Sequence, residues 1–486
     1  MSTGSTGLPA RRYGWVSRRS ATWGRSEAFR RRTTNSIPSG RPSSSNSAAW
    51  AGMWACSSAG PIEATPRFSR VFWTSSYSVE PIHTIRLKPG EQDRLLAGHP
   101  WIYQNELEGW PPEAAPGDLV DLHDSQGRFL GRGYLNPRTT IAVRVLARDR
   151  VSVDQNFFLE KIRQAQALRE RLFSTHPPQA RQDAPLPVAE RSAYRVVHGE
   201  ADGLPGLVVD RYGDAVAIQL LTAGMDRRRD LILSAVEEVL RPHTIVARND
   251  STMREREGLS RERAVIRGQI PPEPTVTING LDVAVDLLGG QKTGLFLDQI
   301  DNYPLIERMA GGAEVLDCFC YVGLWSLHAA RYGATRVTGI DQSPAAIKQA
   351  TALAERNGLA DRCVFRVANA FDELRERDRR REAFDLVILD PPAFVKARNR
   401  IPEALAGYKE INLRAMRLLR PGGFLVTCSC SYHLSAEQFR HMLGDAARDV
   451  RRTARLVAQG AQGRDHPVLL GLAESEYLKC CVLQVL

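Results

Sequence analysis

The rhythm of apolar and polar positions changes several times along this chain of 486 residues. Residues 1–80 have no sustained rhythm. They are rich in Ser, Arg, Gly and Thr, and their one apolar run, 48–56, is short, so a disordered tail is expected. From 81 to 150 apolar residues alternate with polar ones over 82–87, 119–122 and 141–146. Turn residues separate these runs, at 116–118 and 124–127, which predicts a small β-rich module. From 151 to 274 the rhythm is mixed. Phe157, Phe158, Ile162, Ala165 and Leu168 mark one face of a helix over 156–172. A Pro-rich linker follows at 176–187. Beyond it come a strand from Tyr194, a hairpin over 207–221 around Tyr212-Gly213-Asp214, a helix over 228–240 and a strand over 244–247. This segment predicts a small α+β domain.

From 275 to 486 strands alternate with helices, the signature of an α/β sheet. Asn279-Gly280 predicts a tight hairpin between strands at 275–278 and 281–287. A short apolar run then ends at Asp317, a turn spans 318–323, and an amphipathic run covers 324–331. A second apolar run ends at Asp341. Ser343 is a good helix N-cap with Pro344 at the first helical position, and Asn357-Gly358 ends that helix. Further strands are predicted at 364–368, 384–389, 424–427 and 477–486, with helices at 408–419 and 436–446. The predicted architecture is a Rossmann-like, doubly wound sheet.

Such sheets bind ligands beyond the carboxyl ends of their strands. The Asp317 turn, Asp341, Asp390-Pro391-Pro392 and Cys430 therefore converge on one crevice. Backbone N–H groups of the turn and the following helix N-terminus suit an anionic group such as a carboxylate. Asp341, closing the second strand, suits ribose hydroxyls. A nucleoside cofactor is implied. The turn lacks G-x-G-x-x-G, which argues against a dinucleotide, and a thiol on the fifth strand is foreign to a dehydrogenase.

Bulk composition narrows the class. The net charge is +10, but residues 1–80 hold 11 Arg, no Lys and 3 Glu, so most of the excess lies in the tail. The tail reads either as a basic RNA-binding arm or, more simply, as translated upstream sequence without a fold. Any nucleic-acid footprint elsewhere must be a local patch. The 8 Cys show neither a secreted framework nor paired zinc spacing, so no metal is expected and a reduced, cytoplasmic protein is. No apolar run approaches the roughly 18 residues of a membrane span.

Leu87-Lys88-Pro89-Gly90, Gly98-His99-Pro100-Trp101 and Gly131-Arg132-Gly133-Tyr134 resemble a PUA domain, the small β-barrel of RNA-modifying enzymes, with Gly98-Tyr103 as an aromatic-bearing loop. A longer set of motifs covers most of residues 81–486. These are Gly199-Glu200-Ala201-Asp202-Gly203-Leu204-Pro205-Gly206, Lys292-Thr293-Gly294 with Leu297-Asp298-Gln299, the Asp317–Gly323 turn, Asp390-Pro391-Pro392-Ala393-Phe394, and Ser429-Cys430-Ser431. With them the chain resembles the bacterial 23S ribosomal RNA cytosine-5 methyltransferases that carry an N-terminal PUA domain.

The resemblance implies a class I methyltransferase domain, S-adenosyl-L-methionine as cofactor and ribosomal RNA as partner, and it allows a homodimer. It implies that Asp317, Phe319, Tyr321 and Gly323 hold the methionine part and that Asp341 with Gln342 and Ser343 holds the ribose. Asn369 and Ala370 fall near the adenine, Asn369 where the family commonly has an acid, so weaker but intact binding is expected. Cys430 is the implied nucleophile, adding to cytosine C6, with Asp390 on the N3/N4 edge. Pro391 and Pro392 fix the loop and Phe394 stacks on the flipped base. Cys428, two residues earlier, is expected in the core.

Two other readings compete. An Asp-Pro-Pro-aromatic loop also serves methylation of exocyclic amines or other bases, which needs no thiol. A PUA-type RNA-binding protein with a vestigial catalytic domain is the non-enzyme alternative, against which Asp341, Asp390 and Cys430 argue.

Overall fold

The structure, a computed structural model, describes residues 82–173, 191–394 and 400–486. The expected disordered tail at 1–80, with Cys56 in it, and the Pro-rich linker lie outside the described residues.

The first sheet has five strands: β1 (Ile82–Arg86), β2 (Trp101–Tyr103), β3 (Leu119–His123), β4 (Phe129–Leu135) and β5 (Ile141–Ala147), in the order β1-β3-β4-β5-β2. Its core holds Ile85, Leu87, Leu95, Val120, Leu122 and Val143. Two of these strands differ from expectation. The segment taken as an aromatic-bearing loop contains β2, whose three residues are too few to show alternation. β4 is masked in the sequence by Gly131 and Gly133, poor strand residues. The glycines have a physical cause: a Cβ at Gly131 would stand 2.8 Å from the Ala147 carbonyl oxygen, and one at Gly133 would strike the Arg144 carbonyl.

A helix, Gln155–Phe173, leads to the second sheet: β6 (Ala193–His198), β7 (Leu207–Tyr212), β8 (Ala215–Leu220), β9 (Thr244–Asn249) and β10 (Glu262–Arg267), in the order β10-β9-β8-β7-β6. Phe158, Ile162, Val196, Ile218 and Val236 share one core with Leu119 and Tyr134 of the first sheet. The motif at 199–206 joins the two. Glu200 Oε1 accepts from the Trp101 indole N–H at 2.8 Å and from Arg144 at 3.2 Å. The Tyr134 hydroxyl donates to the Pro205 carbonyl at 2.7 Å.

The hairpin of β11 (Thr275–Ile278) and β12 (Leu281–Ala284) turns at Asn279 and Gly280, both at positive φ (46° and 79°), as the dipeptide predicted. The third large sheet has seven strands: β13 (Glu314–Cys318), β14 (Arg336–Asp341), β15 (Cys363–Val367), β16 (Phe384–Leu389), β17 (Leu419–Ser429), β18 (Ala454–Gly460) and β19 (Lys479–Val485), in the order β15-β14-β13-β16-β17-β19-β18. The first five are parallel, and β19 runs antiparallel between β17 and β18. Parallel strands covered on both faces read as continuous apolar runs, and they do so here (Val315-Leu316, Leu386–Leu389).

Some boundaries moved. β17 starts at Leu419 and crosses Pro421-Gly422-Gly423, which read as a helix-closing turn; a register shift against β16 between Phe384 and Leu386 accommodates it. The helix expected at 408–419 starts at Ile401, with Pro402 in its first turn. The helix Ala370–Arg380 and strand β18 were not anticipated. The helix buries only Ala370, Leu374 and Arg377, and β18 is an edge strand with Arg455, Leu456 and Val457 all exposed, so neither has a clean apolar period. Among the described residues no helix is long and apolar enough to cross a membrane.

Candidate active site

A cavity of about 520 Å³ opens at the carboxyl ends of β13, β14, β16 and β17. Each wall is set by the local chain. The turn after β13 carries Phe319 (φ 66°) and Tyr321 (φ 49°) in the left-handed region, unusual for non-glycine residues and typical of functional turns. Gly323 follows at φ 81°, and a Cβ there would stand 2.8 Å from the Phe365 ring, so glycine is required to start the helix Leu324–Arg331.

At the end of β14, Asp341 is fixed by two backbone donors. Oδ2 accepts from Tyr321 N–H at 3.0 Å and Oδ1 from Ser343 N–H at 2.9 Å. This carboxylate faces the cavity as a preorganised acceptor. After β15, Asn369 caps the helix Ala370–Arg380, its Oδ1 accepting from Phe371 N–H at 2.9 Å and Asp372 N–H at 3.4 Å. Both acceptor positions of the amide are thereby engaged, leaving its NH₂ group as the free polar end.

After β16, Asp390 Oδ2 accepts from Gln299 Nε2 at 2.9 Å and Trp325 Nε1 at 3.2 Å. Asn302 donates to Gln299 Oε1 at 2.7 Å, which fixes the orientation of the Gln299 amide. Burial pushes the Asp390 carboxyl up to about 6, with the Asp298 charge adding to burial and the Trp325 and Gln299 bonds opposing it. After β17, the Cys430 thiol lies 3.9 Å from the Pro391 carbonyl oxygen. Burial, and next the Asp390 charge, push this thiol up to about 11. The flanking Ser429 and Ser431 hydroxyls are both bonded to the Tyr408 phenol, at 3.0 and 2.9 Å. Aromatic rings run along this wall, Phe319–Phe371 at 6.2 Å and Phe371–Phe394 at 5.9 Å between centroids, and Tyr408, behind the wall, backs Phe394 at 4.6 Å.

Of the residues singled out from sequence, Phe319, Tyr321, Asp341, Gln342, Asn369, Ala370, Asp390, Pro391, Pro392, Phe394 and Cys430 line this one cavity. Asp317, Gly323 and Ser343 do not. Asp317 is fully buried behind the turn, bonded to the Ser326 hydroxyl at 2.6 Å, and burial pushes its carboxyl up to about 8. Ser343 caps its helix by accepting from Ala346 N–H at 3.3 Å. The expected anion cradle is also narrower. Cys320, Tyr321 and Gly323 spend their N–H groups on Ile340 O, Asp341 and Cys320 O. The N-terminal turn of the helix Leu324–Arg331 remains open to an anionic group. Cys428 is fully buried in the core, opposite Cys480 on β19.

Sequence reasoning left other lining residues without a role: Lys292, Asp298, Gln299, Trp325 and Tyr477. The first three stood in the quoted Lys292–Gln299 motifs, so the signal was present. Trp325 and Tyr477 carried none. The donor set suits S-adenosylmethionine: a pinned carboxylate for a ribose, aromatic walls at Phe319 and Phe371 for a purine, and a helix N-terminus for a carboxylate.

Comparison with known proteins agrees. A PUA-like domain model matches residues 85–148 and a methyltransferase domain model residues 310–469. The fold matches a Streptococcus mutans protein described as a SAM-dependent methyltransferase (TM-score 0.69, 21% identity, 83% of this chain and 100% of that one). It also matches a methyltransferase crystallised with SAH (TM-score 0.70, 21% identity, 83% of this chain and 100% of that one). The fold and the cavity define an S-adenosylmethionine-dependent methyltransferase carrying a PUA-like domain.

Among curated proteins, ribosomal RNA large subunit methyltransferase I of Shewanella denitrificans is 37% identical over 407 residues, covering 82% of this chain and 99% of that protein. The Tolumonas auensis protein of the same name is 36% identical over 407 residues, covering 83% and 99%. The chain belongs to the ribosomal RNA large subunit methyltransferase I family.

Proposed function

We propose that the protein methylates C5 of a cytosine in ribosomal RNA, 23S by its resemblance, through a covalent Cys430–C6 adduct. The observation that carries this is the meeting of Cys430 and Asp390 at neighbouring strand ends of one cavity, the thiol 3.9 Å from the backbone of the Asp-Pro-Pro loop.

Cytosine C5 is a poor nucleophile. Addition of the Cys430 thiolate to C6 forms an S–C bond and moves the C5=C6 electron pair onto C5. Asp390 bonds the N3/N4 edge, where charge builds as the adduct forms. With a carboxyl near 6 it can hold or release a proton close to neutrality. When bound, S-adenosylmethionine would supply the electrophilic methyl group to which the C5 electron pair bonds as the methyl–sulfur bond breaks, the sulfur leaving as a neutral thioether. The C5 proton then departs to a base, its electron pair re-forms the double bond, and the S–C6 bond breaks to return the thiolate. Asp341 orients the ribose of the cofactor, and Phe394 packs on the flipped base beside Phe371, with Tyr408 behind it.

RNA containing 5-fluorocytidine tests this, because fluorine cannot leave C5 as the proton does and the adduct persists. A denaturant-stable complex with the wild type and none with Cys430→Ala is expected. The raised thiol favours one rival, methylation of an exocyclic amine with no thiol nucleophile. Full turnover by Cys430→Ala would establish that rival.

A further inference from the structure

The cavity that Cys430 and Asp390 line also carries a lysine whose side chain is held at two points. Lys292 Nζ bonds Asp298 Oδ2 at 2.6 Å and lies 4.5 Å from the centroid of the Phe296 ring. Its backbone sits at φ 53°, a left-handed conformation that a non-glycine residue adopts only where its surroundings impose it. Asp298 is itself buried and fixed, since the Tyr477 hydroxyl donates to the same Oδ2 at 2.8 Å. Lys292, Asp298, Tyr477, Asp390 and Cys430 all line the one cavity. The charge is thus preorganised on the wall of the cavity that holds Cys430.

We propose that Lys292, fixed by Asp298, is a positioning residue whose ammonium stabilises the Cys430 thiolate beside the Asp390 carboxylate. This rests on Cys430 being the nucleophile. A buried thiol next to a carboxylate resists ionisation, because two negative charges would share one small cavity. The groups that act on Cys430 come from every neighbouring element. Asp390 follows β16, Asp298 and Lys292 precede β13, Tyr408 lies on the helix Ile401–Leu418, and Lys479 opens β19.

Asp390 and Asp298 oppose the thiolate, and Lys292 favours it. Lys479 is a weaker candidate. Its ammonium donates to the Ser431 and Tyr477 carbonyls at 2.7 and 2.8 Å, and burial lowers it to about 8, so its charge fades as the thiol titrates. Lys292 exchanges no proton with Cys430 in this scheme. The thiol proton leaves to water, and the ammonium compensates the charge that remains.

Alkylation of Cys430 by iodoacetamide, followed by peptide mass spectrometry across pH in the cofactor-free full chain, reads thiolate directly. Apart from Cys430, the cysteines among the described residues are buried. Lys292→Gln is expected to slow alkylation at pH 8 about tenfold, one unit in the thiol titration. Lys292→Arg should keep it within about twofold, since the charge remains. The double variant Lys292→Gln/Asp298→Asn leaves no buried carboxylate unpaired and guards against misfolding. It should slow alkylation in the same direction but less, because an opposing charge is lost as well.

Unchanged alkylation in Lys292→Gln or in the double variant overturns the proposal, as does an Lys292→Arg rate as low as that of Lys292→Gln. Trapping on 5-fluorocytidine RNA is measured in the same preparations. Absence of trapping with the wild type overturns the nucleophile and the proposal with it. Wild-type trapping with alkylation indifferent to Lys292 overturns the Lys292 assignment alone.

Discussion

Ser429 donates its hydroxyl hydrogen to the Tyr408 phenol at 3.0 Å, and that phenol is also 2.9 Å from Ser431 Oγ. One side chain of the helix Ile401–Leu418 therefore holds both neighbours of Cys430. Tyr408→Phe removes one hydrogen bond from each of these two serine hydroxyls, about 0.5–1.5 kcal/mol apiece. It is expected to slow adduct formation on 5-fluorocytidine RNA by about 10- to 100-fold. Binding of S-adenosylmethionine, measured by calorimetry, should stay within about twofold, because Tyr408 does not line the cavity. Equal loss of both would mean that the tyrosine serves the fold alone.

Gln299 and Trp325 both bond Asp390 Oδ2, and each bond favours the ionised carboxylate. Removing either donor raises the carboxyl further above 6. Gln299→Leu and Trp325→Phe should therefore move the limb of the kcat/KM profile that belongs to Asp390 to higher pH, by about half to one unit. A profile that keeps its shape while falling in height would exclude this coupling.

Asp317 gives a pH signature in stability rather than in rate. Its folded value, about 8, lies above the unfolded value of 3.8. The folded state binds the proton more tightly, so this group's contribution is full below about pH 4 and is lost as pH rises through 8. Asp317→Asn cannot ionise. Relative to the wild type it should gain about 4 kcal/mol between pH 5 and pH 9 in urea denaturation, roughly three units at about 1.4 kcal/mol each. A constant difference across that range would mean that the wild-type carboxyl does not titrate there.

The join between the two small sheets is also accessible to mutation. Glu200→Gln weakens the bonds from Trp101 and Arg144. Affinity for an RNA substrate should fall by about threefold to tenfold, read by filter binding, while binding of S-adenosylmethionine is unchanged. Loss of cofactor binding would mean that the join supports the large sheet instead.

Much of the cavity was legible in the sequence, because strand-end residues of a parallel sheet must converge and the apolar runs gave away β13, β14, β16 and part of β17. Asp341, Asp390 and Cys430 follow from that rule alone. What stayed hidden had no period to reveal it. Strand β4 carries glycines because β5 passes close, the helix Ala370–Arg380 buries few of its residues, and β18 is an exposed edge. Tyr477 and Trp325 reach the cavity through tertiary packing, which no local spacing encodes. Asp317 shares its strand-end position with Asp341, yet its carboxyl is buried against the Ser326 hydroxyl while Asp341 lines the cavity, a difference that strand position alone does not encode.

The bond from Trp101 to Glu200 has a geometric consequence. With that indole and the Arg144 guanidinium tied to one Glu200 oxygen, the first sheet cannot turn against the second without breaking both bonds at once. Two sheets that also share a single apolar core move as one rigid body, so residues 82–147 behave as an outgrowth of their neighbour and not as a bead on a string.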